Sequence, residues 1–223
     1  MLLKEVCVEN YTNIPAAIAA GANRIELNDN LSVGGTTVSR GVMAEAAKYT
    51  SEHHVPLVTM IRPRGGNFVY NDTELKIMEA DLLQAQSLGV DGVAFGALTA
   101  DNQLDEEALA LLIGAAGGMS ITFHMAFDAI PENQQAAAID WLVDHDVDRI
   151  LTHGGPLDQP IADCVPHLQT TIKQAAGRIQ ILPGGGITTA NVADITTTLG
   201  VKQAHGTLSL IHISEPTRLG MIS

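Results

Sequence analysis

The amino-acid sequence predicts a closed (β/α)8 barrel, that is, a TIM barrel. Short β-type runs alternate with longer helical patterns at a period of roughly 25–30 residues. Eight such runs occur, and eight parallel strands with intervening helices imply a closed barrel rather than an open sheet. Only 4% of the residues are aromatic, so the core must consist mostly of Ala, Val, Ile and Leu, as in barrels of this kind.

The predicted strands are, in chain order, Leu3–Val8, Arg24–Leu27, Leu57–Ile61, Gly92–Phe95, Ser120–Phe123, Arg149–Thr152, Gln180–Leu182 and Lys202–His205. The helical patterns between them cover Ile14–Ala20, Ser39–Glu52, Thr73–Ser87, Glu106–Gly114, Glu132–Asp144, Ile161–Ala175 and Ala190–Leu199. We therefore expect seven helices between eight strands.

Several predicted helix ends carry suitable capping residues. Asn71 or Asp72 precedes the third helix, Asp105 precedes the fourth, and Pro131 lies at the start of the fifth. Glycines that follow the helices fit left-handed C-terminal caps: Gly21, Gly89, Gly177 and Gly200.

The chain after the eighth strand departs from a complete barrel, which runs to about 250 residues and ends on a helix. The string Leu208–Arg218 resembles the in-frame translation of a common sequencing-library adaptor. We interpret residues 1–207 as a single barrel domain and 208–223 as a non-native tail; a genuine divergent tail is the alternative. Because Pro216 opposes a closing helix, we expect the final helix to be missing or replaced, with an incomplete last turn or a neighbouring subunit over the gap.

Charge and composition exclude several classes of partner. The formal net charge of −13 opposes a nucleic-acid groove or an anionic membrane surface. The N-terminal residues lack a signal-peptide pattern and no apolar run approaches eighteen residues, so we expect a cytoplasmic protein. Cys7 and Cys164 form no CxxC or zinc-type pattern, and we expect both to be reduced thiols.

Polar side chains gather at the predicted carboxyl ends of the strands, where barrels of this kind hold their functional face. They are Glu5, Cys7, Glu9, Glu26, Asn28, Arg62, Arg64, His124, Asp128, His153 and His205. Charged groups are costly to bury without partners, so their accumulation indicates a site. The structural alternative is an ion-paired plug made of Glu5, Glu26, Arg62 and Arg64.

Arg62 and Arg64 leave the third strand and enter the turn Gly65-Gly66. A guanidinium group presents a fixed fork of donors that fits carboxylate or phosphate, and paired glycines let a ligand approach the backbone. We predict that both arginines bind a small anion; ion pairs that close the barrel mouth are the alternative.

The pair His124 and Asp128 suggests acid–base chemistry, with an imidazole oriented by a carboxylate. Glu5 or Glu26 would serve as a second acid or base, which makes Glu5, Glu26, His124 and Asp128 the candidate catalytic residues.

The run Gly184-Gly185-Gly186 follows the seventh strand and precedes a helix. Barrels often bind phosphate there, through backbone amides and a helix N-terminus. We predict an anion-binding role for these glycines, with a tight turn as the alternative.

The sequence resembles the CutC copper-homeostasis family from its first residues to about Thr207. The segments that carry this resemblance are Glu5-Val6-Cys7-Val8, Asn23-Arg24-Ile25-Glu26-Leu27, Gly34-Gly35-Thr36-Thr37, Ile61-Arg62-Pro63-Arg64-Gly65-Gly66, Phe95-Gly96-Ala97-Leu98, Thr122-Phe123-His124 with Ala126-Phe127-Asp128, and Pro183-Gly184-Gly185-Gly186-Ile187-Thr188. The resemblance implies a cytoplasmic (β/α)8 barrel, a homodimer or higher homo-oligomer, and a role in copper homeostasis through Cu(I) binding.

Cysteine positions limit what the resemblance implies about copper. Many family members carry a further cysteine where this chain has Val8, Asn28 or Gly206, so Cys7 is the thiol expected at the mouth. Cu(I) prefers thiolate or thioether ligands and also accepts imidazole, so Cys7 would need a histidine, Met60 or Met125. Cys164 falls in the sixth helix and is expected in the core.

Two hypotheses follow, and a non-catalytic sensor that uses the same pocket is a third possibility. In the first, the protein binds Cu(I) through Cys7 and needs no other cofactor. In the second, it is a barrel enzyme that acts on a small anionic or phosphorylated metabolite, with Arg62 and Arg64 holding the anion and His124 acting as acid or base.

Overall fold

A computed structural model describes residues 2–211 and confirms the (β/α)8 barrel. The strands are β1 Leu3–Glu9, β2 Arg24–Asn28, β3 Leu57–Met60, β4 Gly92–Phe95, β5 Ser120–Phe123, β6 Arg149–Thr152, β7 Gln180–Pro183 and β8 Gln203–Gly206. The helices are α1 Ile14–Ala19, α2 Arg40–Glu52, α3 Asp72–Ser87, α4 Glu106–Ala116, α5 Glu132–Asp144, α6 Ile161–Ala175 and α7 Val192–Leu199. Short 3₁₀ turns cover Leu31–Val33, Met125–Ala129 and Leu208–Ile211.

All strand pairings between neighbours are parallel, and the strands follow the order β7-β6-β5-β4-β3-β2-β1-β8. Between β7 and β8, the side chain of Gln203 donates to Gln180 Oε1 at 2.5 Å. The barrel is therefore nearly closed. The register of β1 sets Cys7 opposite Glu26 on β2 and Glu5 opposite His205 on β8.

The strands alternate between two faces, as the pleat of a β-strand requires. Val6, Val8, Ile25 and Leu27 are fully buried and pack in the main core between the barrel and its helices. The residues between them, including Glu5, Cys7 and Glu26, therefore face the barrel interior. A polar interior on β1 and β2 is thus a direct consequence of their sequence pattern.

Helix ends confirm the expected caps. Asn71 and Glu74 form a capping box at the start of α3, and Asp105 accepts a hydrogen bond from the Ala108 amide at 3.1 Å before α4. The four glycines predicted to cap the C-terminal ends of helices all have positive φ. The helix α7 begins at Val192 instead of Ala190 because Asn191 Oδ1 accepts from the Thr188 amide at 2.9 Å and holds the preceding residues in a loop.

The chain beyond β8 begins with the 3₁₀ turn Leu208–Ile211. Leu208 and Ile211 pack in the main core, and Leu210 packs in a smaller core with Ile187 and Ile195. The first four residues of the predicted tail are thus part of the packing of the barrel. Residues 212–223, on which most of the predicted tail falls, lie outside the described residues.

No helix within residues 2–211 has both the length and the apolar character needed to cross a membrane.

Candidate metal site and barrel pocket

A pocket of about 620 Å³ opens at the carboxyl ends of the strands. Three buried side chains lie at its base, namely Cys7 on β1, Glu26 on β2 and His205 on β8, and we refer to them as the floor cluster. The walls come from the loops that follow β2, β3, β5, β6, β7 and β8. The pocket thus occupies the functional end that the sequence predicts.

The floor cluster brings a thiol, a carboxylate and an imidazole together. One ligand atom of each residue lies within 4.8 Å of the other two, and Glu26 Oε2 is 3.8 Å from His205 Nε2. Metal–ligand bonds of about 2.0–2.3 Å place neighbouring ligand atoms of a tetrahedral site about 3.3–3.8 Å apart. The ligand atoms of the floor cluster are thus near the spacing of such a site.

His205 is held in one orientation by Glu5. Its Nδ1 lies 2.7 Å from Glu5 Oε1, while the other oxygen of Glu5 is paired with Arg24. All three side chains are at least nine-tenths buried. A metal-binding histidine commonly donates its second ring nitrogen to such a carboxylate, which fixes the tautomer and directs the first nitrogen at the ion. Glu5 is therefore a support for His205 and lies behind the pocket.

The two buried glutamates, Glu5 and Glu26, have pKa values that are shifted in opposite directions. Burial alone raises the pKa of Glu5, but the hydrogen bond from His205 and the charge of Arg24 outweigh it and lower that pKa to about 2. Burial and the charge of Glu5 raise the pKa of Glu26, against the opposing charge of His205. Burial lowers the pKa of His205, but the two glutamates more than compensate and raise it. Glu5 is therefore a fixed anion, whereas Glu26 holds a proton more tightly than an ordinary glutamate does.

Asn28 connects two members of the floor cluster. Its side-chain amide lies 3.3 Å from Cys7 Sγ and 2.9 Å from Glu26 Oε2, and Asn28 has no exposed surface. Glycine is required beside it, because a Cβ on Gly35 would lie 2.2 Å from Asn28 Oδ1 and Gly35 has a φ of +90°. The sequence indicated Asn28 as a polar residue at the mouth but not this bridging role.

The two arginines of the Arg-Pro-Arg turn are occupied by protein partners. Arg62 donates to the carbonyl oxygens of Val33, Gly35 and Gly66 at 2.7–3.1 Å, and it lines the pocket wall. Arg64 binds both carboxylate oxygens of Glu74, at 2.5 and 3.3 Å, and is not among the pocket-lining residues of the described chain. Arg64 thus makes an ion pair of the kind that the structural alternative describes, whereas Arg62 binds backbone carbonyl oxygens. The structure differs from the predicted ion-paired plug, because Glu5 pairs with Arg24 and not with either of these two arginines.

His124 and Asp128 both line the pocket but have different partners. The His124 Nδ1 accepts from the Ala126 amide at 3.2 Å, and burial together with the charge of Arg62 lowers the pKa of His124 to about 3. Asp128 accepts hydrogen bonds from Thr152 Oγ1 at 2.5 Å and from the amides of His153 and Gly154. Asp128 therefore anchors the loop after β6, and the backbone, not Asp128, orients His124.

The glycine run after β7 divides into two parts. The Gly184 amide donates to Thr152 O at 3.0 Å, so Gly184 still belongs to the barrel wall. Gly185 and Gly186 line the pocket, with φ values of +81° and +74°, and Asn191 Nδ2 donates to Gly186 O at 2.9 Å. The run therefore forms a tight turn that borders the pocket.

Sequence reasoning did not identify Arg24, and it gave His205 less weight than His124. Arg24 opens a strand, where an arginine is unremarkable by sequence alone. Its role emerges from the parallel register, which places Arg24 opposite Glu5. The position of His205 at the end of the eighth strand could have indicated a site residue. Its two glutamate neighbours could not be foreseen, because they come from strands that only closure of the barrel brings near.

The fold and site together define the protein as a (β/α)8-barrel protein with a buried thiol–imidazole–carboxylate cluster beneath a mouth pocket. A profile of the CutC family matches residues 2–210, and the chain belongs to that family.

Similar proteins extend over nearly the whole chain. A CutC family protein of Enterococcus faecalis is 59% identical over 92% of this chain and 99% of its own length. The human copper homeostasis protein cutC homolog is 40% identical over 91% of this chain and 72% of its own length. A solved structure of CutC from Streptococcus agalactiae superposes with a TM-score of 0.90 at 47% identity, covering 93% of this chain and 99% of that chain.

Proposed function

We propose that the protein binds one copper ion, as Cu(I), at the floor cluster and that this binding serves copper homeostasis in the cytoplasm. One observation carries the proposal: the ligand atoms of Cys7, Glu26 and His205 lie within 4.8 Å of one another. Thiolate is the ligand that Cu(I) prefers, and imidazole also suits it. The name of the human relative, a copper homeostasis protein homolog, supports the same assignment.

The donors present fit a soft ion. Cys7 and His205 would be the principal ligands, and Glu26 would be a weaker third because carboxylate is a hard donor. The thioethers of Met60 and Met125 also line the pocket. The Cys7 thiol hydrogen-bonds to Glu26, and a bound ion would take the place of the thiol proton.

An anaerobic competition titration of Cu(I) against a chromogenic chelator of known affinity tests the proposal. We expect the wild-type chain to take up one ion and Cys7→Ala to lose that uptake. Cys164→Ala is the matched control, because Cys164 is also buried but lies in α6 and does not line the pocket. Uptake that survives in Cys7→Ala, or that is lost equally in Cys164→Ala, would contradict the proposal.

A barrel enzyme that acts on a small anionic metabolite is the second candidate. It is favoured by Glu26, a carboxyl with a raised pKa in a pocket of suitable size, and by the neutral imidazole of His124. If this candidate is correct, phosphate or sulfate should raise the melting temperature relative to chloride at equal ionic strength. That protection should persist in Arg64→Gln, because Arg64 is engaged with Glu74. Identical melting in all three salts would remove the candidate.

We also propose a homodimer or higher homo-oligomer, which the family resemblance supports. Light scattering coupled to size-exclusion chromatography tests this directly, and a mass of one chain would exclude it.

A further inference from the structure

We propose that the pocket above the floor cluster binds a small, neutral organic molecule with an apolar body, whose nitrogen or sulfur atom completes the coordination of the bound ion. This inference rests on the proposed metal site. It concerns the remainder of the pocket, because about 620 Å³ is far more than one ion requires. Pockets for small organic ligands usually measure about 300–1,000 Å³.

The first argument is the one-sided arrangement of the protein donors. Cys7, Glu26 and His205 come from β1, β2 and β8, which are consecutive strands in the barrel wall. The three donors therefore reach an ion from one side, and its opposite side faces the pocket, whose lining also includes the thioethers of Met60 and Met125. In catalytic zinc sites, three protein ligands leave a fourth position for an external ligand, and the arrangement here leaves room for one in the same way.

The second argument is the apolar character of the walls. Large apolar side chains from four loops and strands line the space, namely Val33, Phe68, Leu151, Leu157 and Ile187. Two of them remain exposed at the opening, Val33 at 41% and Leu157 at 64%. Exposed apolar side chains around a concave site are typical of surfaces that contact an apolar ligand.

The third argument concerns charge. Among the described residues, the two charged side chains of the pocket wall outside the floor cluster, Arg62 and Asp128, are already engaged by protein groups. The guanidinium of Arg62, although in the wall, is directed at backbone carbonyls, and the carboxylate of Asp128 is directed at the loop after β6. A neutral donor that carries an apolar group therefore fits the space better than an anion.

The test uses 1-alkylimidazoles as probes, since imidazole is a neutral nitrogen donor that Cu(I) accepts. Imidazole, 1-methylimidazole, 1-propylimidazole and 1-pentylimidazole are titrated calorimetrically, without oxygen, into the copper-loaded full chain. We expect the affinity to rise about fourfold per added methylene group, the effect of burying each in an apolar site. The metal-free chain should bind each probe at least about tenfold more weakly, since it lacks the coordinate bond.

Two exposed leucines supply a matched pair of variants. Leu157→Asp places a charge at the opening and should abolish the rise in probe affinity with the length of the alkyl group. Leu83→Asp, on α3 and outside the pocket, should leave that rise unchanged. Equal affinity for all probes, or equal binding with and without copper, would overturn the inference.

The copper content measured before and after the titration separates the two proposals. If the chain holds no copper even before the probes are added, the proposed metal site fails and this inference fails with it. If copper is held but no probe binds, the metal site stands and only the inference about the pocket is lost.

Discussion

The His205 ring nitrogen Nδ1 lies 2.7 Å from Glu5 Oε1, although the two residues are 200 positions apart in the chain. The first and last strands of the barrel pair in parallel, and this pairing sets Glu5 opposite His205. One carboxylate thereby links the closure of the barrel to the orientation of a candidate metal ligand.

Glu5→Gln should destabilise the fold strongly. The substitution leaves Arg24 buried without its anionic partner, and breaking a buried ion pair typically costs about 3–5 kcal/mol. Urea denaturation measures the loss. Asp140→Asn is the control, because its pair with Arg178 is exposed and such pairs contribute about 0–1 kcal/mol. Similar losses in both variants would show that the Glu5 pair is not structural.

The same pair predicts an acid-sensitive contribution. The folded pKa of Glu5 is lowered from 4.5 to about 2, so the stability it contributes is present above about pH 4.5 and is lost as the pH falls toward 2. Unfolding free energy measured between pH 5 and pH 2.5 should fall less steeply in Glu5→Gln than in the wild type. Parallel profiles would contradict this assignment.

His124→Asn tests the other buried imidazole. The folded pKa of His124 is lowered from 6.5 to about 3, so its neutral form contributes stability above pH 6.5 that is lost as the pH falls. Each pH unit below 6.5 costs about 1.4 kcal/mol for one such group. We expect the wild type to lose about 2 kcal/mol more than His124→Asn between pH 6.5 and pH 5. Asparagine is suited because its oxygen can still accept from the Ala126 amide.

Asn28→Ala should weaken Cu(I) binding without removing a ligand. Its amide holds Cys7 Sγ and Glu26 Oε2 in place, and loss of such a supporting group typically costs about 10–100-fold in metal affinity. The competition titration measures the change. Asn23→Ala is the control, since Asn23 accepts a hydrogen bond from the Lys4 amide and does not line the pocket. Unchanged affinity in Asn28→Ala would assign Asn28 to packing alone.

Arg62→Lys should destabilise the chain more than Arg64→Lys does. A lysine cannot reach the three carbonyl oxygens that Arg62 binds, and each buried polar group left unpaired costs about 1–3 kcal/mol. Arg64 is more exposed, and its side chain is 37% accessible. Thermal unfolding ranks the two variants by melting temperature. The reverse order would show that Arg64 is the main support of the loop after β3.

The sequence was sufficient for the barrel and for most element boundaries. Strand and helix patterns depend on local spacing of apolar residues, and Gly92–Phe95, Glu132–Asp144 and Ile161–Ala175 occur in the structure with their predicted bounds. The sequence also placed Cys7, Glu26 and His205 at the carboxyl ends of strands, because that position follows from the strand alone.

Which residues meet was decided by the tertiary structure. Glu5 pairs with Arg24 and His205, not with Arg62 or Arg64, because the register of parallel strands is fixed by closure of the whole barrel. Arg64 binds Glu74 and Asp128 binds the loop after β6, contacts that depend on loop paths. The sequence by itself determined the fold and the chemical groups at its mouth, since both follow from local patterns. Only the three-dimensional register, which joins residues up to 200 positions apart, decided which of those groups form a site.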